Sequence, residues 1–271
     1  NGGESGIVPN FGEKKGRVKD GERTEEWSKK GKTQGNNRTM TGLKKRTLQI
    51  FHLLWYNINK KERKDGLMHL TWNGHSCFTL EIRQGTLVLD PYRPGSVPGL
   101  PNLKLEADGV YCSHQHDDHA GAELVTLSGR GHTVQVEEIE TYHDPEQGAL
   151  RGKNTIRIFT AEGLRVAHLG DLGCELTQEQ AERLTGLDAL LFPVGGFYTI
   201  DAQQAHKVVE QLKPRVAVPM HYRGENFGYD VIGPLEDYLA LCSDVVRYPG
   251  NTLELTADTP AQTAVLTCPV K

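Results

Sequence analysis

YCSHQHDDHAG, residues 111–121, sets three histidines and two aspartates in six consecutive positions, just after an apolar run, DGVYCS, that reads as a buried strand. A solvated loop does not need imidazole and carboxylate at that density. His114, His116, Asp118 and His119 form an H-x-H-x-D-H pattern. On a chain that bends as it leaves a strand, His114 and His116 can converge on one cation while Asp118 and His119 turn toward a second beside it. Imidazoles with a few carboxylates are the donor set of zinc and similar borderline ions, in the mixture of a catalytic rather than a structural site.

Two neighbouring ions need more ligands than one loop supplies. His143 in TYHD, Asp171 in HLGDLG and His221 in VPMHY each stand where an apolar run meets a loop, and this repeated placement marks them as the remaining candidates. His132 and His168 compete with His143. His132 follows Gly131 in a turn and reads as solvated; His168, three residues before Asp171, reads as support for that carboxylate rather than as a ligand. His206 falls inside a helical pattern and reads as surface.

The rest of the chain bounds these readings. Of its 271 residues 37% are hydrophobic and 24% charged, which fits neither a disordered nor a membrane chain, and the net charge is -4. That charge is unevenly spread. Residues 1–66 carry 16 Lys and Arg against 8 Asp and Glu, a net +8, whereas residues 67–271 carry 15 against 27, a net -12. The first stretch is rich in Gly, Lys, Asn and Thr and has too little apolar surface to offset its ordering entropy, so disorder is expected there. Its one apolar run, LQIFHLLWYNI (48–58), is about half of what spans a bilayer, and no transmembrane helix is expected. The run reads as a non-native leader or an incidental helix, and the patterned part opens at Met68, so that residues 1–67 suit an upstream start or a longer precursor. Five scattered cysteines (Cys77, Cys112, Cys174, Cys242, Cys268) without a C-x-x-C pair argue against a zinc ribbon or a disulfide framework, and point to a reducing, cytoplasmic setting.

From Leu67 onward, HLTW, CFTLEI and TLVLDP are short strands of an antiparallel meander, and the Pro- and Gly-rich stretch Tyr92 to Leu103 is a long surface loop, a candidate lid. AGAELVTL has helical spacing, TVQVEEIETYH alternates as a strand, and NTIRIFTAEGLRVAHLGD reads as a hairpin. Helices are expected from the N-cap Thr177 to Leu184, from the N-cap Asp201 to Leu212, and over PLEDYLALC; strands over ALLFPV, RVAVPMH, Thr252–Leu255 and Thr263–Leu266. Strands first, then strands alternating with helices, suit an α/β fold of two sheets packed face to face with helices outside, a four-layer αββα sandwich.

The motif series resembles the metallo-β-lactamase superfamily from about Leu67 to the C-terminus. WNGHSCF, HLGDLG, PVGGFYTID and PMHY resemble its UlaG-like branch of zinc-dependent hydrolases, related to ascorbate-6-phosphate lactonase. The resemblance implies two divalent cations, zinc with manganese as the alternative: His114, His116 and His143 on one, Asp118, His119 and His221 on the other, and Asp171 bridging. It implies hydrolysis of an ester-like bond, a lactone first, such as that of a phosphorylated sugar acid, and a phosphodiester second, by a water activated between the two ions. Asp118 would also orient the nucleophile, and His75, in the GHS turn, would sit near the metal mouth as a substrate contact or a structural hydrogen bond. Asp90 would brace the ligand loop. Tyr198, Tyr222 and Arg223 are candidate substrate contacts, and the glycines of GGFYTID either offer backbone N–H groups to an anion or simply make a turn. His116 stands where the flavo-diiron reductases of this fold resemble H-x-E-x-D, which opposes a redox di-iron centre. A small-molecule substrate and a homo-oligomer are implied. Nucleic acid is the competing partner, with the basic leader as tether, and the -12 of the folded part speaks against it.

Overall fold

The computed structural model describes residues 66–270. The basic stretch expected to be disordered, apart from Gly66, and the 48–58 run lie outside the described residues. Among the described residues the elements follow as β1 (Leu67–Gly74), β2 (Cys77–Ile82), β3 (Gly85–Leu89), β4 (Leu105–Ala107), β5 (Gly109–Tyr111), β6 (Val125–Leu127), β7 (Gln135–Tyr142), β8 (Lys153–Ala161), β9 (Leu164–His168), α1 (Gln178–Arg183), β10 (Ala189–Pro193), α2 (Ala202–Leu212), β11 (Val216–Met220), α3 (Leu235–Leu239), β12 (Val245–Arg247), β13 (Thr252–Thr256) and β14 (Gln262–Val265).

They make a five-stranded sheet, β13-β1-β2-β3-β5, a seven-stranded sheet, β12-β14-β11-β10-β9-β8-β7, and a short β4-β6 pair. In β1 every second side chain, Met68, Leu70 and Trp72, is buried, as the two-residue period of a half-covered strand requires. The central β10 (ALLFP) and β11 (VAVPM) are buried at every position, the mark of parallel strands covered on both faces. One apolar core takes Leu70, Phe78 and Leu80 from the first sheet together with Ile156, Val166 and Leu190 from the second, so the two sheets form a sandwich. Helices cover the larger sheet. Ala205, Val208 and Leu212 on α2 and Leu235 and Tyr238 on α3 join the same core. Both expected N-caps form full capping boxes, Thr177 with Gln180 and Asp201 with Gln204.

Two expectations are corrected. AGAELVTL is not a helix: it makes one 3-10 turn, Ala122–Leu124, and then β6, because Val125–Leu127 pairs in parallel with Leu105–Ala107 and this ladder outweighs an eight-residue helical spacing. The 92–103 loop is a packed wall rather than a lid. Tyr92 and Val97 are buried in a second small core with Cys77, Val88, Ala107 and Val125, the Gly228 N–H donates to the Pro98 carbonyl, and the Tyr229 hydroxyl donates to the Ser96 carbonyl.

Strand directions decide where function can sit. β9, β10 and β11 are parallel, β7 reaches the same direction through antiparallel β8, and β3 is parallel to β5. The segments leaving β3, β5, β7, β9 and β11 therefore carry, in turn, Asp90, the 114–119 cluster, His143, Asp171 and His221, each just past the carboxyl end of its strand. Ligands of open α/β sheets bind at such strand ends.

Candidate metal centre

Each imidazole is aimed by what its far nitrogen touches. His119 donates its Nδ1–H to Asp90 Oδ2 at 2.7 Å, and His143 donates its own to the Tyr198 carbonyl at 3.1 Å. The Ser113 hydroxyl donates to Asp90 Oδ2 at 2.6 Å, so its oxygen is left to accept the Nδ1–H of His114 at 2.9 Å. With Nδ1 protonated, all three rings carry their lone pair on Nε2. Those Nε2 atoms lie 3.9 Å (His114), 3.1 Å (His119) and 3.1 Å (His143) from the Asp171 carboxylate, and His221 Nε2 lies 3.2 Å from it.

The donor atoms fall into overlapping groups whose members all lie within 4.8 Å of one another: His114, His116 and His143; His75, Asp118, His119 and His221; and His114, His119 and Asp171. The arrangement leaves buried polar atoms without hydrogen-bond partners, namely His114 Nε2, His119 Nε2, both nitrogens of His221, His75 Nδ1 and Asp171 Oδ1. Buried orphans of this kind are costly, and here they share one space. Two divalent cations would satisfy the His114, His119 and His221 Nε2 atoms and Asp171 Oδ1, and the donor set of imidazole and carboxylate suits zinc or a similar ion. The residues present thus fit a binuclear divalent-metal site.

Electrostatics favour the same state. Burial, reinforced by neighbouring imidazoles, pushes His75 down to about 4 and His114 down to about 3, and burial also lowers His116, so these rings are neutral donors. For Asp171 and Asp118 burial would favour the protonated acid, but the surrounding histidines, His119 foremost, outweigh it and hold both well below the usual carboxylate range. At His119 burial favours the neutral ring and is outweighed in turn by Asp171, Asp118 and Asp90, so without cations this ring holds a second proton, on Nε2. A bound cation would take that proton's place.

The backbone at these positions is under strain. His75, Asp90 and His221 all have positive φ (51°, 44° and 53°), conformations that non-glycine residues hold only where the surroundings over-determine them. Trp72 Nε1 donates to the His75 carbonyl at 2.8 Å, and Asp90 accepts the Ser113 N–H at 2.6 Å. Gly173 lies against the backbone of His143, where a Cβ would overlap the His143 carbonyl carbon.

The mouth over the carboxylates is a cavity of about 340 Å³ lined by His116, Asp118, His143, Arg151, Asp171, Tyr198 and Tyr229. Tyr198, a candidate substrate contact, lines it. Tyr222 and Arg223 do not: Tyr222 packs in the core against Trp72, ring centroids 5.4 Å apart, Arg223 donates Nε–H to the Ile232 carbonyl, and both line a different cleft. His75 falls among the candidate ligands, its Nε2 3.2 Å from Asp118 Oδ2. His168 donates Nε2–H to the Ser76 carbonyl and accepts the Gly170 N–H on Nδ1, so it supports the Asp171 loop through the backbone. His132 meets the Tyr111 hydroxyl away from this cavity. The GGFYTID glycines make a turn: the Gly196 N–H goes to the Ile200 carbonyl, and the Gly196 carbonyl accepts from Tyr198. Arg151 and Tyr229 are the cavity residues that sequence reasoning missed; no motif marks either.

Residues 69–221 match the family model described as the beta-lactamase superfamily domain. Over 186 residues the chain is 30% identical to a UPF0173 protein of Pyrococcus furiosus, covering 57% of this chain and 83% of the relative. It is 28% identical over 194 residues to a UPF0173 metal-dependent hydrolase of Archaeoglobus fulgidus, covering 57% and 83%. A crystal structure from Thermotoga maritima, assigned to the Zn-dependent hydrolases of the metallo-β-lactamase superfamily, is 37% identical, with a TM-score of 0.57 and coverage of 73% of this chain and 97% of that one.

Proposed function

Because this chain belongs to the metallo-β-lactamase superfamily, among the UPF0173-like metal-dependent hydrolases, we propose that it hydrolyses a lactone, with zinc as its metal and manganese as the alternative. The observation that carries the reading is the convergence of the buried, partnerless Nε2 atoms of His114, His119 and His221 on Asp171, with His143 Nε2 beside them at 3.1 Å. The residues we propose would hold the ions are His114, His116 and His143 for one and Asp118, His119 and His221, with His75 beside them, for the other, with Asp171 between the two sets. When bound, the two cations would acidify a water and polarise a carbonyl.

The chain's own residues manage the proton. Asp118 Oδ2, reached by His75 Nε2 at 3.2 Å and the Tyr229 hydroxyl at 3.3 Å, lines the cavity as an ionised acceptor. It takes the proton that the attacking water loses and returns it to the leaving alkoxide as the ring C–O bond breaks, so lactone and water give one hydroxy acid. Burial, then Asp118 beside it, raises the Tyr229 phenol, which stays a donor throughout. Tyr229 lines the mouth, and its hydroxyl is tied to the 92–103 wall through the Ser96 carbonyl.

The motifs WNGHSCF and PVGGFYTID support placement near the UlaG-like branch, and residues 67–271 as the hydrolase domain. The five free cysteines suit a reducing compartment such as the cytoplasm, and no helix among the described residues is long and apolar enough to cross a membrane.

The test is metal content per chain, on protein purified without added metal, for wild type and for His116→Ala and Asp171→Ala, followed by a lactone panel. About two zinc or manganese ions in wild type, fewer in both variants, and ring opening by the loaded enzyme are expected. No bound metal that added zinc or manganese restores, or loaded enzyme opening phosphodiesters and no lactone, would overturn the reading.

A further inference from the structure

Arg151 is the one Lys or Arg on the wall of the metal cavity, and among the described residues its guanidinium meets no carboxylate. Its side-chain partner is the Tyr198 ring, with the guanidinium carbon 5.6 Å from the centroid. Its neighbours differ. A second cavity, of about 430 Å³, shares His116 and Arg151 with the first and adds Lys153 and Arg157; there Lys153 pairs with Glu140 at 3.3 Å and Arg157 with Glu138 at 2.8 Å. The unpaired cation of the group is the one beside the reacting centre.

Its position is built. Asp144, fully buried and next in sequence to His143, accepts four backbone N–H groups: Glu146 and Gly148 on Oδ1, Leu150 and Arg151 on Oδ2, at 2.7–3.1 Å. Gly148 and Gly152 take the positive φ values, 82° and 89°, that let the loop close on that carboxylate. One residue therefore fixes both the end of β7, where His143 leaves, and the Cα from which Arg151 reaches the mouth. Tyr198 holds the guanidinium over the cavity through a cation–π contact, and the same residue's carbonyl accepts from His143. A solvated arginine needs none of this. A planar fork of N–H donors held without a counter-ion is shaped for a bidentate oxyanion.

We propose that Arg151 is the specificity-determining anchor of this site, binding a carboxylate or phosphate group that the substrate carries beside its scissile bond, with Asp144 as its positioning residue. The proposal rests on the lactone reading and narrows it: the lactone is anionic. With cations bound the mouth is net positive, which favours the same class of substrate.

The test titrates metal-loaded wild type, Arg151→Met and Arg151→Lys, matched for metal content by mass spectrometry and for thermal midpoint, with inorganic phosphate and with succinate by calorimetry. In parallel, KM is measured for paired lactones that differ in one carboxylate. Arg151→Met weakens phosphate or succinate binding about tenfold or more, Arg151→Lys less, and the probe that loses affinity identifies the oxyanion; KM for the carboxylate-bearing lactone rises relative to its neutral twin. Titrations within threefold of wild type in both variants, or a wild type that binds neither anion, would overturn the anchor, whatever the lactone panel shows. If no lactone is opened while anion binding still depends on Arg151, the lactone reading fails and the anchor stands.

Discussion

Replacing Asp90 by asparagine changes a charge and one acceptor atom at constant volume. Its consequence follows from counting donors. Asp90 Oδ1 accepts the Ser113 N–H at 2.6 Å, and Oδ2 accepts both the Ser113 hydroxyl and His119 Nδ1–H. An amide has one oxygen for these two places. If the oxygen keeps the Ser113 N–H, the NH2 faces His119, whose Nδ1 must give up its proton; the tautomer then carries N–H on Nε2, the atom aimed at the cations. If the oxygen turns to His119 instead, the buried Ser113 N–H is stranded and the ligand loop is unhooked. Either way a charge-assisted hydrogen bond is lost, worth about 1.5–3 kcal/mol of folding stability. Losing an orienting partner behind a metal-bound histidine typically weakens the metal by about 10–100-fold, or about 1.4–2.8 kcal/mol. The assay is competition for zinc with a chromogenic chelator, with a urea melt on the stripped protein and nitrogen-15 NMR of the histidine rings to read the tautomer. We expect at least one of the two affinities to fall in that range and the His119 signals to change. A folded Asp90→Asn protein that holds both ions within threefold of wild type would refute the reasoning, because it would show that His119 does not depend on this carboxylate.

Other perturbations test the same frame. Gly173→Ala sets a methyl group against the His143 backbone, so the His143 ligand should shift, with one ion lost per chain and about 1–3 kcal/mol of stability gone; metal analysis and a urea melt check it, and full metal content would count against the packing argument. Stripping the metals should lower the thermal midpoint, since an ion at 100 times its Kd contributes about 2.7 kcal/mol and about 2–4 °C follows from each kcal/mol in a domain of this size; an unchanged midpoint would mean that the buried orphan atoms are not satisfied by cations. Away from the site, the Ser128 hydroxyl, the Thr86 N–H and Arg130 hold the Asp108 carboxyl below its ordinary value of 3.8. Its folded-state value is the depressed one, so its contribution is complete above that ordinary value and is lost as pH falls below it; acid unfolding of Asp108→Asn should show a shallower limb there, and superimposable wild-type and variant limbs would exclude the coupling.

The sequence carried the ligand-bearing strand ends because one physical rule writes both signals: a buried strand reads as an apolar run, and the loop at its carboxyl end is where polar ligands can stand. His114, His116, His143, Asp171 and His221 read as candidate ligands in that way, and the structure brings their donor atoms into overlapping groups although they span more than a hundred residues. The same rule is silent about loops whose path is set by their own hydrogen bonds. Arg151 reaches the mouth because Asp144 gathers four N–H groups, and Tyr229 because its hydroxyl meets Ser96 across the 92–103 wall; neither contact leaves a periodic trace. AGAELVTL failed for the converse reason, since its spacing is real but the β4 edge claims Val125–Leu127. Tyr222 and Arg223 adjoin a candidate ligand in sequence, yet after His221, at φ 53°, the chain carries Tyr222 into the core beside Trp72 and Arg223 toward Ile232. Adjacency to a ligand therefore predicts the ligand's strand, while the direction of the next side chain is decided by the strained backbone that presents the ligand.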